Sequence, residues 1–182
     1  CSNPEKNKNV TYQEALSLAN ASHSKINFNN DTYNLNFSYK DLETNEIHQV
    51  FFTDAATQFN IMRFASEYGI AGTALWRLGS EDYRIWSFYN RDLSNMGAKN
   101  FDFSKFQIVR TFNDVDYLGD GEVLNVMNTP QTGKISIELD SVETLISEEN
   151  YIKIPSSYEV EKYGETSDKN LVLTFDDGPD ER

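Results

Sequence analysis

The chain has 182 residues and a net charge of −13, from 29 acidic against 16 basic side chains. That balance speaks against nucleic acid and anionic lipid or teichoic surfaces as partners, because binding phosphates needs a basic footprint. Hydrophobic residues at 38% and aromatics at 13% suffice for a packed core, and no apolar run reaches the roughly 18 residues of a membrane span.

The single cysteine is Cys1, so no internal disulfide forms. A start at Cys1-Ser2-Asn3 reads either as a processed, lipidated bacterial terminus or as a boundary within a longer protein, and the second is favoured. Residues 1–10 are a polar lead-in. Thr11-x-x-Glu14 is a capping box and predicts a helix through about Ala21. Three strand-like pieces follow, Lys25–Asn29, Tyr33–Tyr39 and Glu46–Thr53, separated by Asn- and Asp-rich turns. Their spacing predicts an antiparallel meander with the first helix on one face.

Asp54 is placed to cap a second helix, with Phe59, Met62 and Ala65 forming an apolar stripe that ends at Tyr68-Gly69. Ile70–Leu78 reads as a buried strand, and Ser80-Glu81-Asp82 leads into a short helix over Tyr83–Tyr89. Strand, helix, strand, helix is the rhythm of a parallel sheet or barrel. Glu46–Thr53 and Ile70–Leu78 are therefore expected side by side, parallel and joined by a right-handed crossover.

Residues 98–166 carry no catalytic pattern. Phe106–Thr111, Glu122–Met127, Lys134–Leu139 and Tyr158–Tyr163 read as strands between Gly-, Pro- and Ser-rich turns. The acid cluster from Asp114 to Glu122 fails as a calcium loop, because Leu118 and Asn125 stand at ligand positions. It reads as a solvated loop, with a weak Ca²⁺ contact as the alternative. Near the end, Leu171-Val172-Leu173-Thr174-Phe175 runs into Asp176-Asp177-Gly178-Pro179. A short apolar strand that delivers two acids to a rim suits metal-assisted chemistry, one acid as cation ligand and one as proton acceptor. A solvated turn is the alternative.

Two stretches resemble known families. His48–Ala55 together with Tyr68–Asp82 and Trp86, with its Gly69-x-x-Gly72-x-x-x-Trp76 core, resembles the last two β/α units of family 18 glycoside hydrolases, closest to the chitinase-like and spore-germination branch. That resemblance implies an α+β fold, the last two β/α units of a (β/α)8 barrel with an α+β insertion over about 11–45, followed by a β-rich connector. It implies substrate-binding roles for Trp76, as the floor of a sugar subsite, and for Asp54 at the rim. For Trp76 the alternative is a core tryptophan. The family's Asp-x-x-Asp-x-Asp-x-Glu catalytic signature does not occur in the chain.

Leu173–Pro179 resembles the first motif of NodB-type polysaccharide deacetylases, which implies that Asp176 is the catalytic base and Asp177 a metal ligand. The family completes its site with His-x-x-x-His further on, whereas His23 and His48 both lie upstream. A divalent metal, zinc by resemblance, is expected in the complete parent protein and none bound stably by this chain. The expected organisation is a barrel part over 1–97, a connector over 98–166 and the deacetylase threshold over 167–182. The implied whole is a bacterial cell-surface enzyme acting on GlcNAc-containing polysaccharide, this chain not being catalytic by itself. The alternatives are a non-catalytic carbohydrate-binding or scaffold module, or a surface lipoprotein.

Overall fold

The computed structural model describes residues 7–42, 44–112 and 115–164. Among them, residues up to 112 together with 130–157 form one compact unit, and 115–129 with 158–164 form a second.

In the first unit, helix α1 (Tyr12–Ala21) begins at the expected capping box. The Thr11 hydroxyl accepts from the Glu14 N–H at 3.1 Å, and the Glu14 carboxylate accepts from the Thr11 N–H at 2.6 Å. Tyr12, Ala15, Leu16 and Ala19 fall on one stripe and are buried. Strands β1 (Asn27–Asn29), β2 (Asn34–Lys40) and β3 (Ile47–Phe52) form the antiparallel meander in that order. Leu35, Phe37, Val50 and Phe52 point inward at alternate positions.

Helix α2 (Ala55–Glu67) starts at a second capping box, Asp54 with Thr57, and stops where Gly69 adopts φ +65°. That left-handed conformation is open to glycine at little cost. Phe59 on α2 organises an aromatic core, with ring centroids 5.4 Å from Phe88, 5.3 Å from Phe101 and Phe103, and 5.8 Å from Phe106. The segment that supplies these rings includes a 3₁₀ helix at Tyr83–Ser87, the short α3 (Asn95–Ala98) and a 3₁₀ helix at Phe103–Phe106.

A second sheet of the same unit is β4 (Ile108–Val109), β7 (Gly133–Asp140) and β8 (Leu145–Lys153), ordered 4-7-8 and antiparallel. Ile135 and Ile146 from this sheet join the one hydrophobic cluster that also holds α1 and α2, so residues on both sides of position 97 share a core. The second unit is a mixed sheet in which β9 (Tyr158–Tyr163) lies between β5 (Val115–Gly119), parallel to it, and β6 (Val123–Asn128), antiparallel.

The barrel expectation is overturned. The structure consists mostly of small open sheets, antiparallel or mixed, with three α-helices among the described residues. Ile70–Leu78 forms no strand, and β3 pairs with β2 alone. The physical reason lies in cover. An apolar run of this kind becomes a strand when both its faces are packed, yet Ile70, Trp76 and Leu78 are exposed and only Leu75 touches the core. Two further expectations shift. The Tyr83–Tyr89 helix is a 3₁₀ turn, and Phe106–Thr111 divides between a 3₁₀ helix and the two-residue β4. Among the described residues of the acid cluster, Val115–Gly119 is β5 and Asp120–Glu122 is a loop.

Candidate functional site

The junction of β3 and α2 places Asp54 at the wall of a cavity of about 250 Å³. Thr53, Gln58, Trp76, Arg77, Ser80 and Glu81 line the same space. Trp76 is 95% exposed, on an irregular segment and not on a strand. The neighbouring loop is held by its own side chains. The Ser80 hydroxyl donates to the Arg77 carbonyl at 2.6 Å, and the Glu81 carboxylate accepts from the Gly79 N–H at 2.5 Å and the Trp86 indole N–H at 3.3 Å. Trp76 and Asp54 are therefore brought together, though not by the route the sequence suggested.

Behind the wall lies a buried polar network that the sequence did not reveal. Arg84, from the first 3₁₀ helix, donates to Asp54 at 3.1 Å and grips Asp82 through Nε at 3.1 and 2.9 Å. It also reaches the Tyr12 hydroxyl at 3.2 Å and the Phe106 carbonyl. Tyr151 of β8 donates to Asp54 at 2.9 Å, and its hydroxyl lies 3.2 Å from that of Tyr12. The other Asp54 oxygen caps α2 by accepting from the Thr57 N–H at 3.0 Å. Asp82 in turn accepts from the Ala55 N–H at 2.9 Å, which ties the start of α2 to the 3₁₀ helix.

The electrostatics follow from burial and pairing. Burial pushes the Asp54 carboxyl up, but Arg84, Glu149 and the Thr57 and Tyr151 donors outweigh it and hold its pKa below the ordinary 3.8. Glu149 on β8 is raised well above 4.5, first by burial and then by the negative charge of Asp54. Tyr12 and Tyr151 are raised above 10.0, mainly by burial. Only Asp54 of this cluster could be singled out from the sequence, through its capping position. Asp82 was visible as a helix start, while nothing local marks Arg84, Glu149 or Tyr151 as neighbours of it.

Asp176 and Asp177 lie outside the described residues. His48 on β3 stacks on Tyr39 with centroids 5.2 Å apart, its Nε2 3.8 Å from Asp41. His23 stands in the turn after α1 with φ 50°. Among the described residues no group of three or more His, Cys, Asp or Glu is arranged to hold a metal ion, and no helix is long and apolar enough to cross a membrane. No family model, curated protein or solved structure matches this chain.

Proposed function

We propose that the described residues form a non-catalytic, sugar-contacting part of a bacterial cell-surface protein that acts on GlcNAc-containing polysaccharide. One observation carries it: an almost fully exposed tryptophan, Trp76, lines a polar cavity with Gln58, Arg77, Ser80 and Glu81. An indole face matches the apolar face of a pyranose ring, and amide, hydroxyl and carboxylate groups beside it match the ring's hydroxyls. Both Asp54 oxygens are taken by protein donors, so Asp54 shapes the wall while the loop residues meet the sugar. The net charge of −13 suits a neutral or cationic polymer.

The deacetylase assignment rests on the motif at the chain's far end. There Asp176 would act as base and Asp177 would be one ligand of a zinc ion, a metal that takes about three protein ligands in catalytic sites. The metal would activate the water that attacks the acetamide carbonyl.

The test is titration of the chain with an acetylated GlcNAc oligomer, followed by indole NMR and by acetate release with added Zn²⁺. Expected are a shift of the Trp76 indole resonance, a dissociation constant on the order of millimolar, loss of binding in Trp76→Ala and no acetate. Trp76→Ala should alter stability by no more than about 0.5 kcal/mol, as for other exposed positions. Binding that survives Trp76→Ala would defeat the sugar site, and acetate release by this chain would defeat its non-catalytic assignment.

A further inference from the structure

Glu149 is the one acid of the buried network that the fold leaves without a donor. It is 2% exposed, and neither carboxyl oxygen accepts a hydrogen bond from an N–H or hydroxyl donor. Two residues along the same strand, Tyr151 bonds Asp54, and the Glu149 carboxyl is close enough to feel the charge of the Asp54 carboxylate. A strand thus delivers a bare carboxyl to the back of an ionised one, inside the core.

Several elements bring charged or titratable groups toward Glu149. Helix α1 contributes Tyr12, the start of α2 contributes Asp54, the 3₁₀ helix contributes Asp82 and Arg84, and β8 itself contributes Tyr151. From the side of β1, Lys25 shares with Glu148 and Glu149 the lining of a second cavity of about 360 Å³. Among the described residues Arg84 is the only cation bonded within the network, and its guanidinium is committed to Asp54, Asp82, Tyr12 and the Phe106 carbonyl.

Two carboxyls pressed together in low dielectric do not both ionise. Asp54 holds the better anion site, with Arg84, the Thr57 N–H and the Tyr151 hydroxyl all donating to it. The proton therefore belongs to Glu149, whose O–H has Asp54 as its acceptor.

We propose that Glu149 and Asp54 share one proton and act as a pH-sensitive clasp between β8 and the start of α2, closed while Glu149 is protonated and opened when it ionises. Opening places a second negative charge beside Asp54 while the Arg84 guanidinium is already committed, and that strains the wall of the Trp76 cavity from behind. The clasp stands whether or not that cavity binds sugar.

A carboxyl whose folded pKa is raised contributes its stability fully below its unfolded value, near 4.5, and loses it as pH rises through the folded value. The tyrosines titrate later and do not enter that window.

Two measurements test the clasp. In the unaltered chain, labelled at the Glu side-chain carbonyls, the Glu149 Cδ resonance should still report a protonated carboxyl after ordinary glutamates, with pKa about 4.3, have ionised. A Glu149 resonance that titrates in the ordinary range overturns the proposal, and this holds even if every variant fails to fold. In parallel, urea midpoints are compared across pH for the wild type and Glu149→Gln, whose amide N–H₂ keeps a donor toward Asp54 and cannot ionise. The wild-type midpoint should fall as pH rises above 4.5, while Glu149→Gln should hold its midpoint over the same range. Parallel curves for the two proteins would also overturn it.

Discussion

At the scale of single residues, Arg84 decides whether two buried acids are tolerable. Its guanidinium is the shared counter-charge of Asp54 and Asp82, and all three side chains are less than a tenth exposed. Such a network is not a large net stabiliser, because desolvating three charges offsets most of their attraction. Its removal is another matter. Arg84→Met keeps the aliphatic bulk but leaves both carboxylates without their cation, and an uncompensated buried pair typically costs about 3–5 kcal/mol. Urea denaturation near neutral pH should show that loss. The variant should regain part of it as pH falls, since Asp54 then escapes its charge by protonation. The wild type behaves in the opposite way on the acid side. Asp54, held below 3.8, contributes stability above that pH and loses it as pH falls through its lowered folded value. Opposite acid-side slopes for the two proteins are the signature to look for.

At the scale of elements, the contrast between what the sequence showed and what it hid is a contrast between local and distant partners. The caps at Thr11 and Asp54, the meander and the glycine stop at Gly69 all depend on residues within a few positions of one another, and they form as the pattern suggests. The Ile70–Leu78 run misled because its apolar pattern states a need for cover without saying who supplies it. Strand β8 stayed hidden for the converse reason. Ser147-Glu148-Glu149-Asn150 looks like a polar loop, yet Glu149 is buried and the ladder runs through it. Even Asn60, buried on α2, would pass from sequence as a surface residue. Its amide donates to the Ile146 carbonyl and accepts from the Ile146 N–H, both at 2.8 Å. Strand β8 is the edge of its sheet, so Asn60 fills a place where another strand would bond. Asn60→Ala leaves two buried backbone groups unpaired, at about 1–3 kcal/mol each. Thermal melts should place its cost well above the roughly 1 kcal/mol of Thr11→Ala, an exposed cap. Equal losses in the two variants would mean that β8 finds another partner for its edge.

At the scale of the whole molecule, the two compact units differ in how much core each one builds. The first gathers its helices and two sheets around the aromatic group on Phe59, with Ala15, Leu16, Leu35, Phe88, Phe106 and Ile146 fully out of solvent. The second has a single buried hydrophobic residue among those described, Val160 on the central strand β9. Register places Val115, Tyr117, Leu124, Val126 and Tyr158 on the same face as Val160, and all five are more than a third exposed. Lys162 sits over the Tyr117 ring at 4.5 Å, which shelters part of that face with a lysine stem. A sheet of three strands with so little apolar burial relies on its backbone ladder, and such ladders open at low free-energy cost. Amide hydrogen exchange at low denaturant should therefore show β5, β6 and β9 losing protection together, well before α2, β2 and β7. Exchange of Val126 and Val160 should accelerate with the first additions of urea, while the Phe59 amide holds until global unfolding. If all of these amides shared one denaturant dependence from the start, the thin sheet would be as cooperative as the aromatic core, and burial would not be what sets stability in this chain.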